Sequence, residues 1–197
     1  MKKRIAFFDF DGTITTRDTL LEIIKFYKGD LKFYLGFAVN APYLFAWKAG
    51  LITNQAAKEK MLRHFFGNIP VKTFQERCDA FATTELPALI RPKALQEIEK
   101  LKASGADIVI VSASAENWIQ HWCDVNNLQL MGTKLQVLDE RLTGKIEGRN
   151  CYGDEKVNRI NASFDLTRYD EIYCYGDTKG DKPMLQLATL SFYKPFR

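Results

Sequence analysis

An apolar run only six residues long, RIAFFD at positions 4–9, breaks on an acidic turn, Asp9-Phe10-Asp11-Gly12-Thr13. A run this short and this rich in apolar and aromatic residues suits a buried strand. Similar runs follow at 106–111 (ADIVIV), 171–175 (EIYCY) and 188–193. Helical patterns lie between them, at 92–103 (closed by Ser104-Gly105), 115–126, 154–163 and 181–187. Strands alternating with helices predict an α/β fold with a doubly wound parallel sheet. In such sheets ligands sit beyond the carboxyl ends of the strands.

Two segments depart from the alternation. Residues 16–87 carry helical periodicity and no strand signal, which predicts a helical unit inserted after the first strand. The expected division is therefore 1–15 with 88–197 as the α/β core, and 16–87 as the insertion. Residues 135–148 (LQVLDERLTGKIEG) alternate around a turn near 139–141 and predict a hairpin.

A chain of 197 residues has room for one core domain and a modest insertion. Hydrophobic residues at 46% and charged residues at 26% argue for a packed chain over a disordered one. A net charge of +4 favours anionic ligands weakly and does not indicate a nucleic-acid binder. The aromatic residues lie in no RNA-binding motif and read as core. Cys78, Cys123, Cys151 and Cys174 form no CxxC pair, and two histidines, His64 and His121, are too few for most histidine metal sites. The basic start MKKRIAFF breaks at Asp9, too early for a signal-peptide apolar region. These features predict a cytoplasmic protein with reduced thiols.

The chemistry-bearing residues stand at strand ends. Asp9 and Asp11 alternate along an extended chain and so point to the same side, before Gly12 permits a turn. They are either solvated turn aspartates or a pair that binds a cation or does chemistry. Gly176-Asp177-Thr178-Lys179-Gly180-Asp181 follows another apolar run and adds two carboxylates, Asp181 doubling as a helix cap. Carboxylates gathered from separate strand ends suit Mg²⁺, which takes one or two of them with water and phosphate oxygens. Ser112 ends the run 108–111 and Ser114 follows; hydroxyls there can hold a phosphate oxygen or cap the next helix. Lys156, in Gly153-Asp154-Glu155-Lys156, lies near a helix start.

Together these four pieces, DFDGT, VIVSAS, GDEK and GDTKGDKPML, resemble in order the motifs of the haloacid dehalogenase superfamily. The hairpin LTGKIEG at 142–148 is similar to that of its phosphoserine-phosphatase-like branch. The resemblance implies a Rossmann-like core with a helical cap. It implies that Asp9 is a nucleophile forming an aspartyl-phosphate, and that Asp11 is the general acid and then the general base. It further implies Mg²⁺ held by Asp9, the Asp11 carbonyl, Asp177 and Asp181, with Ser112 and Lys156 on the phosphoryl oxygens. Gly12, Thr13 and Ser114 complete the phosphate pocket on this reading. An aspartate at position 11 fits phosphatases and phosphomutases, not dehalogenases.

The inserted cap should choose the substrate, a small phosphorylated metabolite on the leading expectation. Asp18 stands where phosphoserine phosphatases carry a glutamate, and Arg63 is the nearest candidate for their cap arginine. Ala113 and Ser114 replace the two glycines usual after the motif serine, which argues against phosphoserine itself. Residues 33–47 (FYLGFAVNAPYLFAW) are the least polar stretch and too short and interrupted to span a bilayer. They read either as the buried face of cap helices or as a surface for a membrane or lipid tail, flanked by Lys25, Lys28, Lys32 and Lys48. That stretch is similar to the cap of C-type phosphatidylglycerophosphate phosphatases. The alternatives to a metabolite phosphatase are therefore a lipid-phosphate phosphatase, a phosphomutase, or a phospho-aspartate switch.

Overall fold

The computed structural model describes residues 2–197. Strand β1 (Arg4–Phe8) is followed by six helices: α1 (Thr19–Lys28), α2 (Asp30–Lys48), α3 (Asn54–Phe66), α4 (Val71–Thr84), α5 (Leu86–Leu89) and α6 (Pro92–Ala103). Then come β2 (Asp107–Ala115), α7 (Glu116–Val125) and β3 (Gln129–Thr133). A hairpin of β4 (Leu135–Leu138) and β5 (Arg141–Ile146) precedes α8 (Asp154–Ser163), β6 (Glu171–Gly176), α9 (Lys182–Leu185) and β7 (Leu190–Tyr193).

The main sheet has the order β3-β2-β1-β6-β7, and every pairing in it is parallel. The chain leaves β1 to one side for β2 and β3, then crosses to the other side for β6. The switch point therefore falls at β1, where a crevice opens beyond the strand ends. The sheet is buried on both faces, as the short apolar runs predict. Ala6, Phe8, Ile108, Ile110 and Tyr175 face one core together with Ile98 and Leu101 of α6 and Trp118 and Ile119 of α7. Ile5, Phe7, Val109, Val111, Ile172 and Cys174 face the other, with Ile160 of α8 and Met184 of α9. The first core continues without a break into the helices after β1, through Ile23, Phe33, Met61, Phe65, Phe66, Phe74 and Phe81.

Local signals set the helix ends. Asp18 caps α1 by accepting from the N–H groups of Leu20 (2.9 Å) and Leu21 (3.3 Å). Gly29, at φ +79°, ends it. Thr53 caps α3. Helix α2 packs on α3 at Gly36, where any Cβ would run into the Phe65 ring, so glycine sets the distance between the helices.

Four details differ from the sequence expectation. Strand β1 stops at Phe8, and residues 10–14 form a wide coil closed by Thr15 N–H donating to the Phe10 carbonyl at 3.0 Å. Asp11 therefore does not lie on a continued strand, although it and Asp9 still line the same cavity. Strand β2 runs on past Ser112 to Ala115 with a register shift, because small side chains fit a crowded strand end as well as a loop. Strand β3 gave no sequence signal: it is a short edge strand containing Gln129 and Gly132. The expected helix 181–187 is a 3₁₀ turn, Lys179–Asp181, and the single turn α9.

Candidate active site

Asp9 follows β1 directly, and its N–H donates to the Tyr175 carbonyl at 2.9 Å, extending the parallel ladder by one rung. Its carboxylate is clamped on both oxygens: Oδ1 accepts from Lys156 Nζ at 2.7 Å and Oδ2 from the Thr13 hydroxyl at 3.0 Å. Lys156 enters from the first turn of α8, and Nζ also donates to Asp181 Oδ1 at 2.7 Å. The other oxygen of Asp181 accepts from Thr178 N–H (2.9 Å), the Thr178 hydroxyl (2.7 Å) and Asp177 N–H (3.2 Å). Asp177 pairs with the Arg197 guanidinium and takes a longer bond, 3.4 Å, from Thr13.

Asp9, Asp177 and Asp181 each offer one oxygen, all within 4.8 Å of one another, and all three residues are buried. An oxygen-only donor set of this kind matches Mg²⁺ in hardness and charge. Gly12 belongs to the same construction. It sits at φ +79°, and a Cβ there would lie 2.5 Å from Asp177 Oδ2, so glycine keeps the space beside the carboxylates free.

The electrostatics follow from burial. Burial pushes the Asp9 carboxyl up to about 7; Lys156 pulls against it, and the charges of Asp181 and Asp11 add to the rise. Burial also raises Asp181, but Lys156 and the Thr178 bonds outweigh it and hold that group below its ordinary value. Burial and the neighbouring Asp181 charge raise Asp177. Burial alone would lower Lys156, yet Asp9 and Asp181 hold it above its ordinary value and so charged. Two cations already face this acidic cluster: Lys156, bonded to Asp9 and Asp181, and Arg197, paired with Asp177.

Asp11 is held separately. Its Oδ1 accepts from Thr19 N–H at 2.7 Å, and its Oδ2 accepts from the Ser114 hydroxyl. Ser114 Oγ lies 3.1 Å from Thr19 Oγ1, which in turn accepts from the Trp118 indole N–H at 3.0 Å. The relay joins α1, β2 and α7 around one carboxylate.

These residues line a cavity of about 740 Å³. Asp9, Asp11, Gly12, Asp18, Ser114, Lys156, Asp177 and Asp181 form its polar end, and α1, α2 and α3 wall the rest. Three candidates stand elsewhere. Thr13 is buried behind Asp9, off the cavity wall, and donates to its carboxylate. Ser112 is buried off the cavity wall, its hydroxyl accepting from Ser114 N–H at 3.0 Å. Arg63 is exposed and off the cavity, with its backbone packed against Gly144 of the hairpin. Lys58, five residues earlier on α3 and about 140° around it, lines the cavity instead. Its Nζ donates to the Ala113 carbonyl and, at 3.3 Å, to Asn150 Oδ1. The cavity walls push the half-buried Lys58 down to about 8 by desolvation, against the charges of Asp11 and Asp18. Sequence reasoning missed Lys58, since periodicity alone does not say which face of α3 meets the site. Asp18 lines the cavity with its carboxylate already committed to capping α1.

Residues 6–186 match the haloacid dehalogenase-like hydrolase family. The chain belongs to that family. It is 32% identical over 196 residues to Protein CicA of Caulobacter vibrioides, covering 96% of this chain and 85% of that one. A solved structure of a Bordetella pertussis Tohama I protein with unknown function superposes with a TM-score of 0.83 at 24% identity, over 97% of this chain and 89% of the other. A substrate-bound phosphoserine phosphatase superposes at 0.68 with 19% identity, over 98% and 86%. A phospho-aspartyl intermediate analogue of phosphoserine phosphatase superposes at 0.66 with 20% identity, over 97% and 86%. At these identities the structural likeness speaks for the fold.

Proposed function

We propose that this hydrolase is a Mg²⁺-dependent phosphomonoesterase that works through an aspartyl-phosphate on Asp9. The observation that carries the reading is the buried trio Asp9, Asp177 and Asp181 with Lys156 bonded to two of its members at 2.7 Å. An anionic nucleophile beside a fixed ammonium is suited to meeting a phosphate, whose transferred oxygens need positive charge around them.

On this reading a carboxylate oxygen of Asp9 attacks phosphorus and the bond from phosphorus to the ester oxygen breaks. Asp11 gives its proton to the departing alkoxide. Asp11 then takes a proton from water as that water attacks phosphorus; the Asp9–phosphorus bond breaks, and inorganic phosphate and free Asp9 return. Both protonation states of Asp11 suit its surroundings, because the Ser114 hydroxyl can donate to a carboxylate or accept from a carboxylic acid. Asp9, Asp177, Asp181 and the Asp11 carbonyl would hold Mg²⁺. When bound, the ion supplies charge that offsets the repulsion between an anionic nucleophile and an anionic ester. Ser112 would act through Ser114, and residues 16–87 would serve as the cap that excludes water and contacts the leaving group.

The test is phosphate release from p-nitrophenyl phosphate with Mg²⁺ and with chelator, alongside Asp9→Asn. Mg²⁺-dependent release, a hydroxylamine-sensitive phosphoenzyme, and loss of both in Asp9→Asn are expected. Turnover that survives chelation, or survives Asp9→Asn, would overturn the mechanism.

A further inference from the structure

Helix α2 is apolar on more than the side it buries. Phe33, Gly36 and Asn40 fix it against its neighbours. A second flank, Phe37, Ala41 and Leu44, walls the active-site cavity. A third flank faces water: Leu31, Tyr34, Leu35, Val39 and Phe45 stand 61–78% exposed. From residue 33 to residue 47 there is no charged side chain at all. A contiguous apolar face of this kind on a folded protein marks an interaction surface.

Two observations identify what it meets. Phe45 both lines the cavity and is 78% exposed, so it stands at the mouth, where the outer apolar face runs into the apolar wall inside. The charges that border the face are cationic: Lys28 and Lys32 at one end and Lys48 at the other, with Asp30 the one acid on the helix. Lys48 and Arg17 also line the cavity. A second copy of the chain on this face would set lysines against lysines. An anionic lipid surface complements both the apolar stripe and its rim. No helix among the described residues is long and apolar enough to cross a membrane, so α2 would lie along the surface.

We propose that α2 rests on an anionic lipid surface and that the substrate is a phosphate monoester carrying a long apolar chain, taken up from that surface past Phe45. The chain lies against Phe37, Ala41 and Leu44 while the phosphate reaches Asp9. This rests on the phosphomonoesterase reading above and names the class of ester that reading leaves open.

Two measurements on the Mg²⁺-loaded full chain test it. The first compares kcat/KM for ethyl, butyl and octyl phosphate, all below micelle formation, with p-nitrophenyl phosphate as reference. Full burial of the chain gives about fourfold per methylene, the equivalent of ~0.8 kcal/mol per buried CH₂, as the upper limit. A steep rise with chain length that flattens in Ala41→Lys, read as the octyl-to-ethyl ratio within each protein, is expected. Equal handling of octyl and ethyl phosphate overturns the inference while leaving the phosphatase intact. Hydrolysis of no ester, p-nitrophenyl phosphate included, overturns the phosphatase reading itself. The second measures flotation with phosphatidylcholine vesicles, with and without phosphatidylglycerol, and hydrolysis of diacylglycerol phosphate carried in them. Binding to the anionic vesicles, lost with vesicle-borne hydrolysis in Leu35→Glu/Val39→Glu, is expected; p-nitrophenyl phosphate turnover in the same sample separates lost docking from lost fold. Failure to float, or a dimer in sedimentation that the same double variant dissolves, overturns the docking.

Discussion

Lys156→Met removes the one ammonium that touches two carboxylates in the site. Lys156 is 1% exposed, and its Nζ lies 2.7 Å from both Asp9 and Asp181. The variant keeps the volume and strands the two acids, with Asp177 within the same 4.8 Å cluster. Breaking a buried ion pair from one side costs about 3–5 kcal/mol, far above the 0–1 kcal/mol of an exposed pair. For a chain of this length that is a drop in Tm of roughly 6–20 °C. The loss must depend on pH. Without the ammonium, the folded-state pKa values of Asp9 and Asp181 rise well above their unfolded values near 3.9; Asp9 is already at about 7 with Lys156 present. The folded variant then binds more protons than the unfolded one, so its stability falls as pH climbs through that window. Urea unfolding in chelator should show the variant close to the parent at pH 5 and several kcal/mol below it at pH 8. A deficit that is the same at both pH values would mean lost packing rather than stranded charge. No deficit at all would refute the burial of the pair.

Gly12→Ala should cost about 1–2 kcal/mol in stability from its positive φ, and should raise the Mg²⁺ concentration for half-maximal activity by tenfold or more as the new methyl displaces Asp177; a metal titration that matches the parent would contradict that placement. Ser114→Ala deletes a charge-assisted bond to Asp11, worth about 1.5–3 kcal/mol, so kcat should fall tenfold or more with KM little moved, and an unchanged kcat would remove Ser114 from the positioning of Asp11. Lys58, at about 8, should set an alkaline limb in kcat/KM for an anionic ester, since its charge is present below that pH and lost above it. Lys58→Arg should move the limb upward and Lys58→Met should abolish it; a limb that stays in place in Lys58→Met assigns it to another group.

The residues legible in advance share one property: their neighbours along the chain say what they are. Asp9 and Asp177 come directly after short apolar strands, Asp181 follows Gly180 in the turn after the second of them, and parallel strands leave their carboxyl ends at one edge of the sheet. Lys156 stands three residues after Gly153, in the first turn of a helix. The alternation of Ile5 and Phe7 against Ala6 and Phe8 between two cores likewise follows from a strand buried on both faces.

Other features came from packing across long sequence distances. β3 pairs only with β2 and carries too few apolar residues to announce itself. Arg63 and Lys58 lie on one amphipathic helix, and the contact with the hairpin at Gly144 turns Arg63 away and leaves Lys58 at the cavity. The Trp118–Thr19–Ser114–Asp11 relay joins residues up to about a hundred positions apart, each of which reads separately as packing, cap or turn.

Helix α2 shows the division most clearly. Sequence alone establishes that residues 33–47 are apolar on all sides and contain no charge. A helix without a polar face has no hydrophobic reason to prefer one side over another. The contacts at Phe33, Gly36 and Asn40 choose the side that packs, and they leave one flank against the cavity and another in water. Local chemistry sets which groups stand at the strand ends, because backbone geometry and side-chain alternation act over a few residues. Which distant groups meet them is set by the shape of surfaces that exist only once the chain has packed.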